Sequence, residues 1–148
     1  MARVLASEAV AEALLLSLGL VVRELRQTRD ETLTMPETSA LGRLDKGGPT
    51  TVTELAKLER ITAQSLGATL TALEERGLVQ RTPDPDDGRR ALIAITRAGG
   101  EKLRNRRSAR SRQIARMLSE HFTGREREQL LSAAPLLERL AQHFKETP

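Results

Sequence analysis

The chain has 148 residues, 39% of them apolar and two of them aromatic, with a formal charge of +4 and no cysteine. That length holds one domain, or one unit that completes its core with a partner. The lack of thiols excludes disulfides, thiolate zinc sites and thiol redox sensing, and Phe122 and Phe144 are too few rings for a base-stacking platform.

The first apolar run, ALLLSLGLVV (13–22), is too short to span a bilayer and has acids on both sides. It also lacks the basic start and small-residue exit of a secretory signal, so a cytoplasmic protein without a membrane partner is expected. Over 7–29, Val10, Leu14, Leu18, Val21 and Leu25 fall on one stripe at helical spacing. Leu15, Leu16 and Leu20 widen the apolar surface beyond what one contact needs. This helix is therefore expected to meet a second surface, either the rest of the domain or another subunit.

TMPETSALGRLDKGG (34–48) predicts a short helix, opened by a Thr34–Glu37 capping pair and a first-turn proline and closed by two glycines. TTVTELAKLERIT (50–62) predicts the next, capped by Thr51 with Glu54, or by Thr53. TAQSLGATLTALEERG (62–77) predicts a third, with Thr62 as N-cap, Gly77 as stop, and a buried stripe of Leu66, Leu70 and Leu73. Only a tight turn around Arg60–Thr62 separates these last two, which makes them a helix-turn-helix. LVQRT (78–82) and ALIAIT (91–96) have strand composition; Pro83 and Pro85 exclude helix between them, and Asp-Asp-Gly favours a reversal. A β-hairpin after a helix-turn-helix is the order of a winged helix.

Two helices close the chain, over 97–121 and 123–145, the second opened by the capping box TGRE. Leu130, Ala134, Leu137, Ala141 and Phe144 recur at 4-3-4-3 spacing, a seam of the kind that meets another helix. Pro135 within it is expected to kink or break the helix. Between Arg97 and Arg116 eight basic residues stand against one acid, Glu101, a local field suited to a polyanion or small anions. The fold expected is mainly α with a small β-hairpin wing.

TVTELA (51–56), LTALEERGLVQR (70–81) and DPDDGRRALIAIT (84–96), in this order, resemble the MarR family of bacterial transcriptional regulators. The likeness is detailed over the winged helix-turn-helix lobe, 34–99. The helices over 7–29 and 100–146 agree with the family's dimerisation helices, so 1–148 reads as a single MarR-like unit. The helix-turn-helix is shared by many regulators, whereas the wing text, Asp-x-Arg before a short apolar strand ending in Thr, is more specific. The resemblance implies a homodimer that binds double-stranded DNA at a pseudo-palindromic operator, acts as an effector-responsive repressor, and needs no cofactor or metal.

It further implies that Arg89 enters the minor groove, with Asp87 holding its guanidinium and Arg90 on phosphate or substituting for it. The recognition helix would run from Thr62 to Arg76. Gln64 suits adenine, Ser65 and Thr69 reach bases or phosphates, and Ala63, Ala68 and Thr71 also face outward. Many relatives carry an Arg or Lys on this helix, yet no basic residue occurs from Ala63 to Glu75, which argues against guanine readout by a bidentate arginine. Arg60, Arg81 and Arg97 are the expected phosphate contacts, with Thr53 offering its hydroxyl. Arginines of the 97–116 run would suit a small anionic or phenolic effector, or add to the field over DNA.

An enzyme is not expected. His121 and His143 lack metal-ligand spacing, and Ser119 and His121 do not share a helix face. The competing reading is a winged-helix protein-interaction module without specific DNA binding, which the uncharged recognition helix would fit and the arginine-bearing wing would not.

Overall fold

A computed structural model describes residues 6–27 and 33–146. Chain contacts divide it into two compact units, one ending at Arg106 and the other starting at Arg107. Six helices and two strands follow the expected order: α1 (Ser7–Gln27), α2 (Met35–Gly47), α3 (Val52–Glu59), α4 (Ala63–Glu75), β1 (Val79–Pro83), β2 (Ala91–Ile95), α5 (Arg97–His121) and α6 (Gly124–Glu146). The expected end of the first helix, 28–29, lies outside the described residues.

Local chemistry fixes most helix starts. Thr34 and Glu37 form the full capping box on α2: the Glu37 N–H donates to Thr34 Oγ1 at 3.3 Å, and Glu37 Oε2 accepts the Thr34 N–H at 2.8 Å. Thr51, rather than Thr53, caps α3 through the Glu54 N–H at 3.2 Å. That helix is shorter than its sequence implies at both ends. Thr50 is drawn off to bridge Ile93 in β2, exchanging backbone bonds of 3.1 and 2.7 Å. At the other end Arg60 turns into the left-handed region (φ 56°, ψ 40°), while its N–H and that of Ile61 satisfy Lys57 and Ala56 carbonyls.

The core of the first unit is aliphatic. Leu41, Leu44, Leu55, Leu66, Leu70, Leu73, Ile93 and Leu103 are its largest fully buried side chains, drawn from α2, α3, α4, β2 and α5. Each contributes ~1.5–3 kcal/mol of gross burial energy. The β1–β2 hairpin pairs Val79 with Ile95 through Pro83 with Ala91, and Ile93 sits against the helices. Gly99 in the first turn of α5 lies directly against the Leu78 carbonyl. Arg106, in the middle of α5, is 93% buried and donates from Nη1 to the Leu33 carbonyl, with Nη2 3.7 Å from Met35 Sδ. The sequence places it in a run of eight basic residues suited to a polyanion or small anions; the structure makes it a core residue.

α1 has no buried residue, and four of its leucines are exposed, Leu15 at 75% and Leu16 at 67% among them, while Leu14 and Leu25 are half-buried.

In the second unit, α6 is opened by Thr123, whose N–H and hydroxyl both donate to Glu126 Oε2, at 2.8 and 2.9 Å. Those bonds hold the Glu126 carboxyl below the usual carboxylate range. The helix runs unbroken through Pro135, so no division into two helices occurs. Proline removes one rung, to Leu131, and the bonds on either side carry the helix across. α6 also buries nothing, and Leu131, Leu136 and Phe144 stand more than half exposed.

Candidate nucleic-acid interface

The turn between α3 and α4 takes only three residues, Arg60 to Thr62, because left-handed Arg60 reverses the chain at once. Few non-glycine residues adopt that conformation. It leaves the Arg60 side chain exposed immediately before the N-terminus of α4. Thr62 then caps α4: its Oγ1 accepts the Ser65 N–H at 3.1 Å and donates to Ser65 Oγ at 2.9 Å. The Thr62 and Ser65 hydroxyls are therefore engaged with each other, although Ser65 keeps its own proton to donate. Gln64 is exposed beside Ala63, and Ala68 is exposed one turn on. Thr69 is half-buried, and Thr71 bonds back to the Gly67 carbonyl at 2.9 Å. Burial of Leu66, Leu70 and Leu73 fixes which face of α4 these residues occupy.

α4 ends in a left-handed Gly77 (φ 69°), with Gly77 N–H on the Glu74 carbonyl and Leu78 N–H on the Leu73 carbonyl, both 2.9 Å. This 6→1 and 5→2 pattern needs glycine at that position, and it delivers the chain straight into β1. The wing tip is closed by its own aspartates. Asp84 Oδ1 accepts the Asp86 N–H at 2.9 Å, and Asp87 Oδ1 accepts the Arg89 N–H at 3.1 Å. The backbone closes with Asp84 N–H to the Arg90 carbonyl and Arg90 N–H to that of Asp87.

Asp87 therefore differs from expectation. It orients the backbone of Arg89 and does not hold its guanidinium, because an aspartate two residues ahead of an N–H closes a tight local ring. Arg89 and Arg90 are exposed, and among the described residues neither guanidinium has an ion-pair partner. Arg81 differs too: its Nε is 2.9 Å from Glu74 Oε2 in α4. Arg97 pairs loosely with Glu101 at 3.3 Å and is 93% exposed. Thr53 is exposed in the first turn of α3.

The structure thus gathers Arg60, Thr62, Gln64 and Ser65 at the start of α4, and Asp87, Arg89 and Arg90 at the tip of the hairpin. Sequence reasoning missed Glu74 and Gly99. The two consecutive glycines at the start of a helix were a readable sign of close approach, since they weaken the helix unless something needs the room.

Among the described residues no helix is long and apolar enough to cross a membrane, and no three His, Cys, Asp or Glu side chains gather as a metal site. The MarR family model matches residues 33–91, which span α2 to the wing. The HTH-type transcriptional regulator Mb0904 of Mycobacterium bovis is 33% identical over 121 residues, covering 79% of this chain and 84% of that protein. The crystal structure of RV1404 from Mycobacterium tuberculosis superposes with a TM-score of 0.75 at 26% identity, over 95% of this chain and 97% of that one. A mutant of S. aureus MepR, bound to an oligodeoxyribonucleotide in its structure, shares the fold at a TM-score of 0.62 and 23% identity, over 84% of this chain and 94% of that one. The helix-turn-helix, the wing with its Asp-x-Arg tip and these matches together place the chain in the MarR family of winged-helix transcriptional regulators.

Proposed function

We propose that this regulator works as a homodimer that reads a pseudo-palindromic operator in double-stranded DNA, with α4 in the major groove and the wing in the adjacent minor groove. The observation that carries it is the pairing of an exposed α4 N-terminus, bearing Gln64, and a wing tip whose two arginines have no acidic partner among the described residues. Arginine is favoured in a narrow minor groove because the potential there is most negative. Two-fold symmetry places the two α4 helices about one helical turn apart on the duplex. MepR, whose fold this chain shares, is a precedent for such a scaffold on an oligodeoxyribonucleotide.

Salt dependence tests the reading against a protein-interaction module. A dimer that neutralises about six to eight phosphates gives log K falling linearly with log salt, with a slope of about −5 to −7. A nearly flat dependence would overturn DNA as the partner. The wing geometry gives a finer expectation. Asp87→Asn keeps the oxygen that accepts the Arg89 N–H, so DNA affinity in fluorescence anisotropy is unchanged or tighter. Asp87→Ala loses that acceptor and binds more weakly. Were the carboxylate charge needed for the Arg89 guanidinium, Asn and Ala would fail alike.

The dimer rests on the exposed apolar residues of α1 and α6, among them Leu15, Leu16, Leu131 and Phe144. A chain ending at Phe122 is expected to sediment as a monomer or aggregate, while the full chain sediments as a dimer. A stable dimer after truncation would move the interface away from α6. We assign repression to this regulator, relieved by a small anionic or phenolic effector. An open hollow of about 560 Å³ beside α5, lined by Arg112, Ala115, Arg116 and Ser119, offers the charge and apolar surface for such a ligand.

A further inference from the structure

The α4–β1 joint is crossed by an ion pair that the DNA-binding reading does not use. Glu74 stands in the last turn of α4 and Arg81 in the middle of β1, with Arg81 Nε 2.9 Å from Glu74 Oε2. Between helix and strand the chain is only Arg76, Gly77 and Leu78, with Gly77 left-handed. Opposite Arg81 in the hairpin is Ile93, which is fully buried and also bridged to Thr50. The pair therefore closes a ring around left-handed Gly77, and the strand opposite Arg81 is anchored to the core through Ile93 at the same level.

We infer that Glu74 and Arg81 are positioning residues: together they brace the wing against the recognition helix and set the separation between major-groove reader and minor-groove probe. This inference rests on the DNA-binding reading and alters one part of it. Arg81 becomes a brace, and not one of the phosphate contacts. A brace of this kind lowers the cost of binding, because wing strands that sway beyond the pinned Gly77–Leu78 junction must be fixed at the moment of association. An exposed pair is a modest device, worth up to about fivefold in an equilibrium.

The sign of one variant separates the two roles. Glu74→Gln removes a negative charge from the protein, and a phosphate-seeking Arg81 would then be released. Counterion release alone makes that variant bind DNA more tightly, with a steeper salt slope. The brace predicts the reverse for the operator: Glu74→Gln and Arg81→Gln each weaken binding about threefold to fivefold. The charge-swapped pair, Glu74→Arg with Arg81→Glu, regains most of the loss. Binding of Glu74→Gln to an unrelated duplex is unchanged or tighter. Tighter operator binding by Glu74→Gln, together with a slope reduced by about 1.8 in Arg81→Gln (about 0.9 for each Arg81 of the dimer), would overturn the brace.

Amide hydrogen exchange supplies a readout that needs no DNA. Across Val79–Pro83 and Ala91–Ile95, exchange accelerates in each single variant and slows again in the swap. Unchanged exchange in all three proteins overturns the brace even where operator binding stands. Failure of the wild-type protein to select any operator would overturn the DNA-binding reading, and exchange would still judge the brace.

Discussion

Gly99→Ala is expected to unfold the winged-helix lobe or to lower its stability by about 3 kcal/mol or more. A Cβ at that position would lie 2.1 Å from the Leu78 carbonyl oxygen, 2.9 Å from Ile95 Cγ1 and 3.0 Å from the Leu78 carbonyl carbon. Two of these obstacles are backbone, and that backbone is pinned. The Leu78 N–H is bonded to the Leu73 carbonyl, and the Leu78 oxygen itself accepts the Thr96 N–H at 3.1 Å. Thr96 in turn donates from Oγ1 to the Gly77 carbonyl at 2.6 Å and accepts the Gly99 N–H at 3.1 Å. The added methyl must displace the junction of α4, β1 and α5 together.

Overpacking usually costs ~1–3 kcal/mol, and a rigid obstacle belongs at or beyond the upper end. At ~2–4 °C per kcal/mol, that lowers Tm by at least about 6 °C. Gly100→Ala is the control. Its nearest neighbour is the Arg104 guanidinium at 3.2 Å, the free end of a flexible side chain that can move aside. Alanine is also the better helix former by ~1 kcal/mol, so that variant melts at or above wild type. Equal melting of Gly99→Ala and wild type would contradict the packing described.

Arg106→Met is expected to cost about 2–3 kcal/mol in urea unfolding. The substitution keeps much of the buried apolar stem but leaves the Leu33 carbonyl, to which Arg106 donates, without that bond. A hydrogen bond from a charged donor is worth ~1.5–3 kcal/mol, and an orphaned buried acceptor carries a similar penalty. Leu33 is itself 3% exposed and leads into the Thr34 cap of α2, so water cannot readily replace the lost donor. Arg104→Met, at an exposed position of the same helix, should fall within about 0.5 kcal/mol of wild type. A neutral Arg106→Met would return that arginine to the solvated face from which the sequence could not distinguish it.

That pair of arginines shows what a sequence reveals and what it hides. Caps are local chemistry, so Thr34 with Glu37, Thr62, Gly77 and Thr123 with Glu126 were legible, and with them the order of elements. The buried stripe of α4 was legible for the same reason, through Leu66, Leu70 and Leu73. The fate of Arg106 depends on a carbonyl 73 residues away, and nothing in a run of eight basic residues marks one of them as core.

Thr50 left its expected helix for a bridge to Ile93, another pairing that only the assembled fold creates. Pro135 was read by its local penalty alone, yet the helix continues through it. At the site, Ala63, Gln64, Ser65, Ala68 and Thr71 are exposed on α4 as expected, because burial of the leucines determines the remainder, and Thr69 is half-buried beside them. The resemblance gives Asp87 the Arg89 guanidinium and Arg81 a phosphate, whereas their partners in the structure, the Arg89 N–H and Glu74, are set by local backbone geometry and by the α4–β1 joint.

The most direct test of the central claim is selection from a random duplex pool at near-physiological salt, with wild-type protein and Arg89→Ala in parallel. Wild type is expected to enrich an inverted repeat with half-sites about one helical turn apart. Arg89→Ala should remain folded and dimeric yet bind that repeat about tenfold or more weakly, in line with the ~1–3 kcal/mol of a good groove contact. No enriched repeat, or an Arg89→Ala protein that binds it as tightly as wild type, would contradict the account.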